Sequence, residues 1–160
     1  MLIIMEGIVL SFILLVFCII GLANGPEKFT VFYEKDVQDK AIKLGYTTKE
    51  KIKKQMIISF IVLYTPLFTL VPFMVCYING ANEFSEIFIQ SLLIMYIMGI
   101  FDRIFIDWYW VEHTKAWDIP NTEELKPYIP IKKKIVKWVG TFIGFPIIAL
   151  IIAFVMSNIL

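Results

Sequence analysis

The chain is poor in the residues on which soluble chemistry usually draws. It has two cysteines (Cys18, Cys76), one histidine (His113) and one arginine (Arg103). Two cysteines exclude a disulfide-stapled secreted domain. A lone histidine leaves zinc short of its usual ligand sets. Charged residues make up 18% of the 160 positions, below the ~25% of ordinary soluble domains. No glycine-rich phosphate loop, Cys/His metal spacing or Gly-x-Ser-x-Gly turn occurs, so no cofactor or metal is implied. Internal repeats and low-complexity tracts are also missing. Nucleic-acid binding has no support, because formal net charge is only +1 and the basic residues flank apolar runs.

Apolar residues are abundant. Hydrophobic residues are 59% of the chain and mean hydropathy is +0.76. They gather into four runs at about 2–23, 56–78, 86–110 and 135–160. Each is near or above the ~20 residues a helix needs to cross ~30 Å of hydrocarbon. Inside lipid the backbone must satisfy its own hydrogen bonds, and none of the runs alternates as a barrel strand would. The expected fold is therefore all-α: one transmembrane domain, 1–160, forming an antiparallel bundle of four helices. The first run has no Lys or Arg before it and is longer than a signal core, so it reads as a retained span.

Lysine placement gives an orientation. Eight lysines lie in the connection 24–55, and six lie in 111–134 or just inside the fourth run. The N-terminus, Asn79–Ser85 and the C-terminus have neither Lys nor Arg. The positive-inside rule then sets both long connections in the cytosol and both termini outside. Trp108, Trp110, Trp117 and Trp138 are expected in the headgroup zone at that end. Cys18 and Cys76 fall at opposite depths, too far apart for a disulfide. Richness in Ile and Lys fits an AT-rich prokaryotic genome and hence a plasma membrane.

Both long connections carry local signals. Phe32, Val37, Ala41, Ile42 and Leu44 form an apolar stripe expected to lie as a short amphipathic helix on the headgroups. Thr47-Thr48-Lys49-Glu50 reads as a capping box opening the second span. Asn121-Thr122-Glu123-Glu124 caps a short helical stretch that Pro127 ends. Lys132, Lys133 and Lys134 could attract anionic lipid at ~1 kcal/mol each.

The third run is the most informative, because it carries Asp102, Arg103 and Asp107 at membrane depth. A mid-membrane charge costs ~2.5–3.5 kcal/mol on insertion scales. The cluster should therefore face other helices or a wet cavity. Arg103 and Asp107, four apart, can pair along one face. Asp102, Tyr109 and His113 would share an adjacent face of an α-helix. Gly140 and Gly144 form a Gly-xxx-Gly pattern at similar depth and are expected to admit close helix packing. Pro66, Pro72 and Pro146 free the carbonyls of Val62, Phe68 and Phe142. Glu6 is expected at the outer interface.

These features rank three functions. The first is a transport or ligand-binding membrane component whose ligand or proton site comprises Asp102, Arg103, Asp107, Tyr109, Glu112 and His113. The second is a regulatory or assembly subunit that docks a partner through its cytosolic loops, or a second copy through the glycine face. The third is an interfacial lipid-modifying enzyme using the Asp, Glu and His groups as acid, base or metal ligands. An enzyme is the less favoured reading, since the spacing matches no defensible metal pattern.

Overall fold

The computed structural model describes residues 1–160 and is helical without strands. Helix α1 is Leu2–Leu22, α2 is Lys35–Lys43, α3 is Lys49–Pro72, α4 is Phe84–Phe101 and α5 is Ile131–Ile159. Two helices change pitch without stopping. α3 runs on as π-helix through Phe73–Ile78, and α4 as π-helix through Asp102–Val111. The continuous units Leu2–Leu22, Lys49–Ile78, Phe84–Val111 and Ile131–Ile159 are each long and apolar enough to cross a membrane. At most 28% of their most apolar stretches is buried within the protein, so most of their apolar surface faces outward.

α4 is the central helix. It packs along both α1 and α5, while α3 meets its neighbours only over short stretches. Glycine makes both long contacts close. A Cβ on Gly7 would lie 2.6 Å from Ile97 Cβ, and one on Gly99 would lie 2.5 Å from Phe145 Cε2 and 2.9 Å from Thr141 Cγ2. Backbone approach of this kind is how helices gain dispersion contact where lipid removes the hydrophobic incentive to associate. Gly140 and Gly144, the residues expected to do this, have open space where a Cβ would be. The packed face of α5 instead carries Thr141, Phe145, Ile148, Ala149, Ile152 and Ala153. The two glycines stand one position off that face, about 100° round the helix.

The membrane-length helices bury one apolar core, which includes Leu10, Val71, Ile87, Ile94, Met95 and Ala149. A second core is built mainly from the long connections. Phe29, Tyr33, Val37, Trp117, Ile119, Tyr128 and Ile129 pack onto Cys18, Ile106 and Val111. This overturns two expectations. Val37 and Ala41 of α2 are buried in protein, while Phe32 and Leu44 of the same stripe stay exposed, so the stripe does not face headgroups as one surface. Trp117 is buried too, between Phe29, Tyr33 and Trp110, whereas Trp108 stays exposed.

The connections are held by polar contacts between them. The Tyr33 hydroxyl donates to Trp117 O at 2.6 Å. Asn121 Nδ2 donates to Tyr46 Oη, and Lys40 pairs with Glu124 at 3.0 Å. Tyr128 Oη accepts from Ile119 N at 3.2 Å and shares a hydrogen bond with Thr122 at 2.9 Å. The segment expected to be helical after Thr122 is a single 3-10 turn, Glu123–Leu125. Helix α3 starts one residue later than a capping box on Thr47 requires. Thr48 is its cap, accepting from Lys51 N at 3.2 Å.

Both α3 and α5 continue helically through their prolines. One freed carbonyl has found a donor. Phe142 O, four residues before Pro146, accepts from Tyr96 Oη of α4 at 3.4 Å. That contact ties the proline turn of α5 to the central helix.

Candidate functional site

The charge cluster begins where α4 changes from α to π pitch. π-helix is rare, and where it interrupts an α-helix it often marks a functional site. Arg103 Nη1 pairs with Asp102 Oδ2 at 3.0 Å and also with Asp107 Oδ2. Asp107 Oδ1 takes Lys137 Nζ of α5 at 2.7 Å. Arg103 Nε donates to Thr141 Oγ1 at 3.3 Å, and that hydroxyl donates to Lys137 O at 3.1 Å. Two carboxylates and two cations thus form a balanced network joining α4 to α5. The balance matters, because an uncompensated charge at such a site is far costlier than a paired one.

The six residues expected to form one site do not all meet. Asp102, Arg103 and Asp107 do. Glu112 lies apart and is gripped by Lys134 Nζ at 2.6 and 2.7 Å. The exposed His113 ring contacts Trp108 O through Nδ1 at 2.6 Å, and Tyr109 is half-exposed. A π-turn holds more residues than an α-turn, so positions seven and eleven apart no longer align. The facial argument for Tyr109 and His113 assumed α spacing and fails for that reason.

Sequence reasoning missed Lys137 and Thr141 as site members. Lys137 looked like one of four topology lysines. The available signal was its position after Ile135-Val136, inside the apolar stretch and four before Thr141. The lysines expected to attract anionic lipid are also engaged: Lys133 with Glu34 at 3.2 Å and Lys134 with Glu112. Lys132 enters no ion pair.

Three cavities meet the network. The largest of them, about 340 Å³, is lined by Arg103, Ile104, Asp107, Trp108, Lys134 and Trp138 and touches neither α1 nor α3; the remaining two touch both. One, of about 240 Å³, is lined by Asp102, Arg103, Asp107 and Lys137, with Leu14, Cys18 and Leu63, and roofed by Tyr33, Trp117 and Tyr128. The other, of about 200 Å³, is lined by Leu10, Ile13, Leu14, Leu63, Leu67 and Phe145, and again by Asp102 and Arg103. They share Leu14, Leu63, Asp102 and Arg103 and so adjoin beside the charge cluster, between α1 and α3. Ten of fourteen lining residues are apolar in the first and ten of thirteen in the second. The charged side chains, Asp102, Arg103, Asp107 and Lys137, are gathered in one section.

The roof is chemically quiet. Burial pushes the Tyr33 hydroxyl well above its ordinary range, and the neighbouring Tyr128 and Asp118 push it further. It remains a neutral donor to Trp117 O. No family model, curated protein or solved structure matches the chain. Functional reasoning accordingly rests on the site itself.

Proposed function

We propose that this chain is a multi-pass membrane protein that binds, and as a transport component passes on, a membrane-borne amphiphile. The four apolar helices cross the bilayer as an antiparallel bundle. By the positive-inside rule both lysine-rich connections are cytosolic and both termini outside. The ligand lies in the gap between α1 and α3. Its polar end sits beside Asp102, Arg103 and Lys137, and its apolar part beside Leu10, Ile13 and Leu67.

The observation that carries this reading is the pair of cavities sharing Asp102 and Arg103. A mostly apolar trough with a few convergent polar groups is the usual form of a small-molecule site. The sparse contact between α1 and α3 supports entry from the side, out of the lipid. The balanced network favours a zwitterionic or uncharged polar end. An added anion would have to displace an aspartate from Arg103, and an added cation would have to displace Lys137.

The other two readings have less support. Val37 and Ala41 of the expected stripe are buried, and Phe32 and Leu44, which remain exposed, flank them without forming one continuous apolar face. An enzyme using Asp102, Glu112 and His113 together would need them in one place. The test is ligand retention. Protein extracted in mild detergent is expected to carry a co-purifying amphiphile in native mass spectrometry. Leu63→Trp, which fills the trough, is expected to release it. Equal retention by Leu63→Trp would overturn the assignment.

A further inference from the structure

A second polar cluster lies at the other end of α4 and has no part in the site described. Gln90 is twelve residues before Asp102, about 18 Å along a helix. Here Glu6 of α1, Asn79 after α3 and Gln90 of α4 come together. Asn79 Nδ2 donates to Glu6 Oε2 at 3.0 Å and to Gln90 Oε1 at 2.9 Å. Glu6 is shielded by protein, with only 6% of its surface exposed. Its Oε1 and the Asn79 Oδ1 are both buried and have no partner.

The arithmetic of donors and acceptors is uneven. One amide nitrogen serves two oxygens, and two further oxygens are left over, with one formal negative charge. No lysine, arginine or N-terminal ammonium of the protein pairs with Glu6, and no Lys or Arg occurs among residues 1–27 or 55–102. The charged side chains nearest in sequence, Glu83 and Glu86, are exposed and acidic, and they favour cations in the adjoining solvent. A buried unsatisfied polar atom calls for an explanation such as an ion. A buried carboxylate without a counter-charge calls for one more strongly.

We propose that Glu6, Asn79 and Gln90 form a binding site for one monovalent metal cation, Na⁺ by its chemistry. The donors are all hard oxygens from three separate elements. A single carboxylate balances a single positive charge. A calcium ion would want six to eight oxygens and commonly several carboxylates. Glu6 lies in the second turn of α1, within about 8 Å of the helix end, so an ion can arrive from the aqueous side. Bound there, it ties α1 to the α3–α4 connection. This inference does not depend on the amphiphile reading, which concerns the opposite end of α4.

The test uses the full chain in detergent or nanodiscs, with thermal unfolding followed in NaCl, KCl and choline chloride at equal ionic strength. Tm is expected to rise saturably with NaCl, less with KCl and not with choline. Glu6→Gln is expected to abolish the NaCl response. Gln90→Ala, a milder change, is expected to raise the NaCl concentration for half effect several-fold. A wild-type Tm equal in NaCl and choline overturns the proposal. So does a sodium response that survives in Glu6→Gln. A Tm indifferent to NaCl that moves with pH in the wild type but not in Glu6→Gln replaces the metal with a proton.

Discussion

Asp107 holds the charge network together, because its two oxygens serve different helices: Oδ2 takes Arg103 of its own helix and Oδ1 takes Lys137 of α5. Asp107→Ala leaves both cations without that partner. Breaking a buried pair from one side costs about 3–5 kcal/mol. The lower end is expected here, about 3 kcal/mol, since the Lys137 side chain is 36% exposed and partly screened. Asp107→Asn keeps an acceptor and should lose less. Thermal unfolding of the purified variants reads both, and an Asp107→Ala protein as stable as wild type would contradict the network. Asp102, Arg103 and Asp107 were legible from the sequence because a charge in an apolar run has to be sheltered wherever the chain puts it. The pairing with Lys137 was not, since a lysine near a span end serves topology equally well.

At the scale of the element, close packing is a matter of face, and sequence reports face only when the helical pitch is known. Gly140 and Gly144 carry the familiar spacing, yet they point to open space, while the isolated Gly99 meets Thr141 and Phe145. Gly99→Ala is therefore expected to cost about 1–3 kcal/mol by overpacking. Gly140→Ala and Gly144→Ala should stay within about 0.5 kcal/mol of wild type. Equal losses at all three positions would show that α5 presents another face. The π-helical run Asp102–Val111 had no readable signal, for no proline interrupts it. It is why Tyr109 and His113 left the expected site. The connections offer a pH test of their own. The Tyr33 hydroxyl titrates higher when folded than when unfolded, so the folded state favours its neutral form. That stability is complete below the ordinary tyrosine value of about 10 and declines as pH rises beyond it. Tyr33→Phe should lower Tm modestly at neutral pH, by loss of a hydrogen bond of about 1 kcal/mol. It should also show a shallower decline above about pH 10. Parallel declines would mean that Tyr33 is not shielded.

For the whole molecule, the four long apolar helices were legible because length and apolarity sufficient to cross a bilayer can be read without knowing how the helices pack. Two helices start ahead of the apolar runs they carry, α5 at Ile131 by four residues and α3 at Lys49 by seven. The core joining the two long connections was not legible. It depends on which aromatic side chains meet across distant segments, as Tyr33 and Trp117 do. Orientation is open to direct chemistry, because the native thiols Cys18 and Cys76 are buried. If the proposed topology holds, an impermeant maleimide added to intact cells expressing the protein at their surface labels Asn82→Cys at once, and Thr48→Cys only after lysis. The reverse pattern would invert the topology. The proposed trough between α1 and α3, with Asp102 and Arg103 where its two cavities adjoin, is tested most directly by native mass spectrometry of the detergent-extracted protein. The wild type should retain a single bound amphiphile, and Leu14→Trp and Leu63→Trp should both lose it while remaining folded. A wild type that carries nothing, or folded variants that carry as much as the wild type, would contradict the claim.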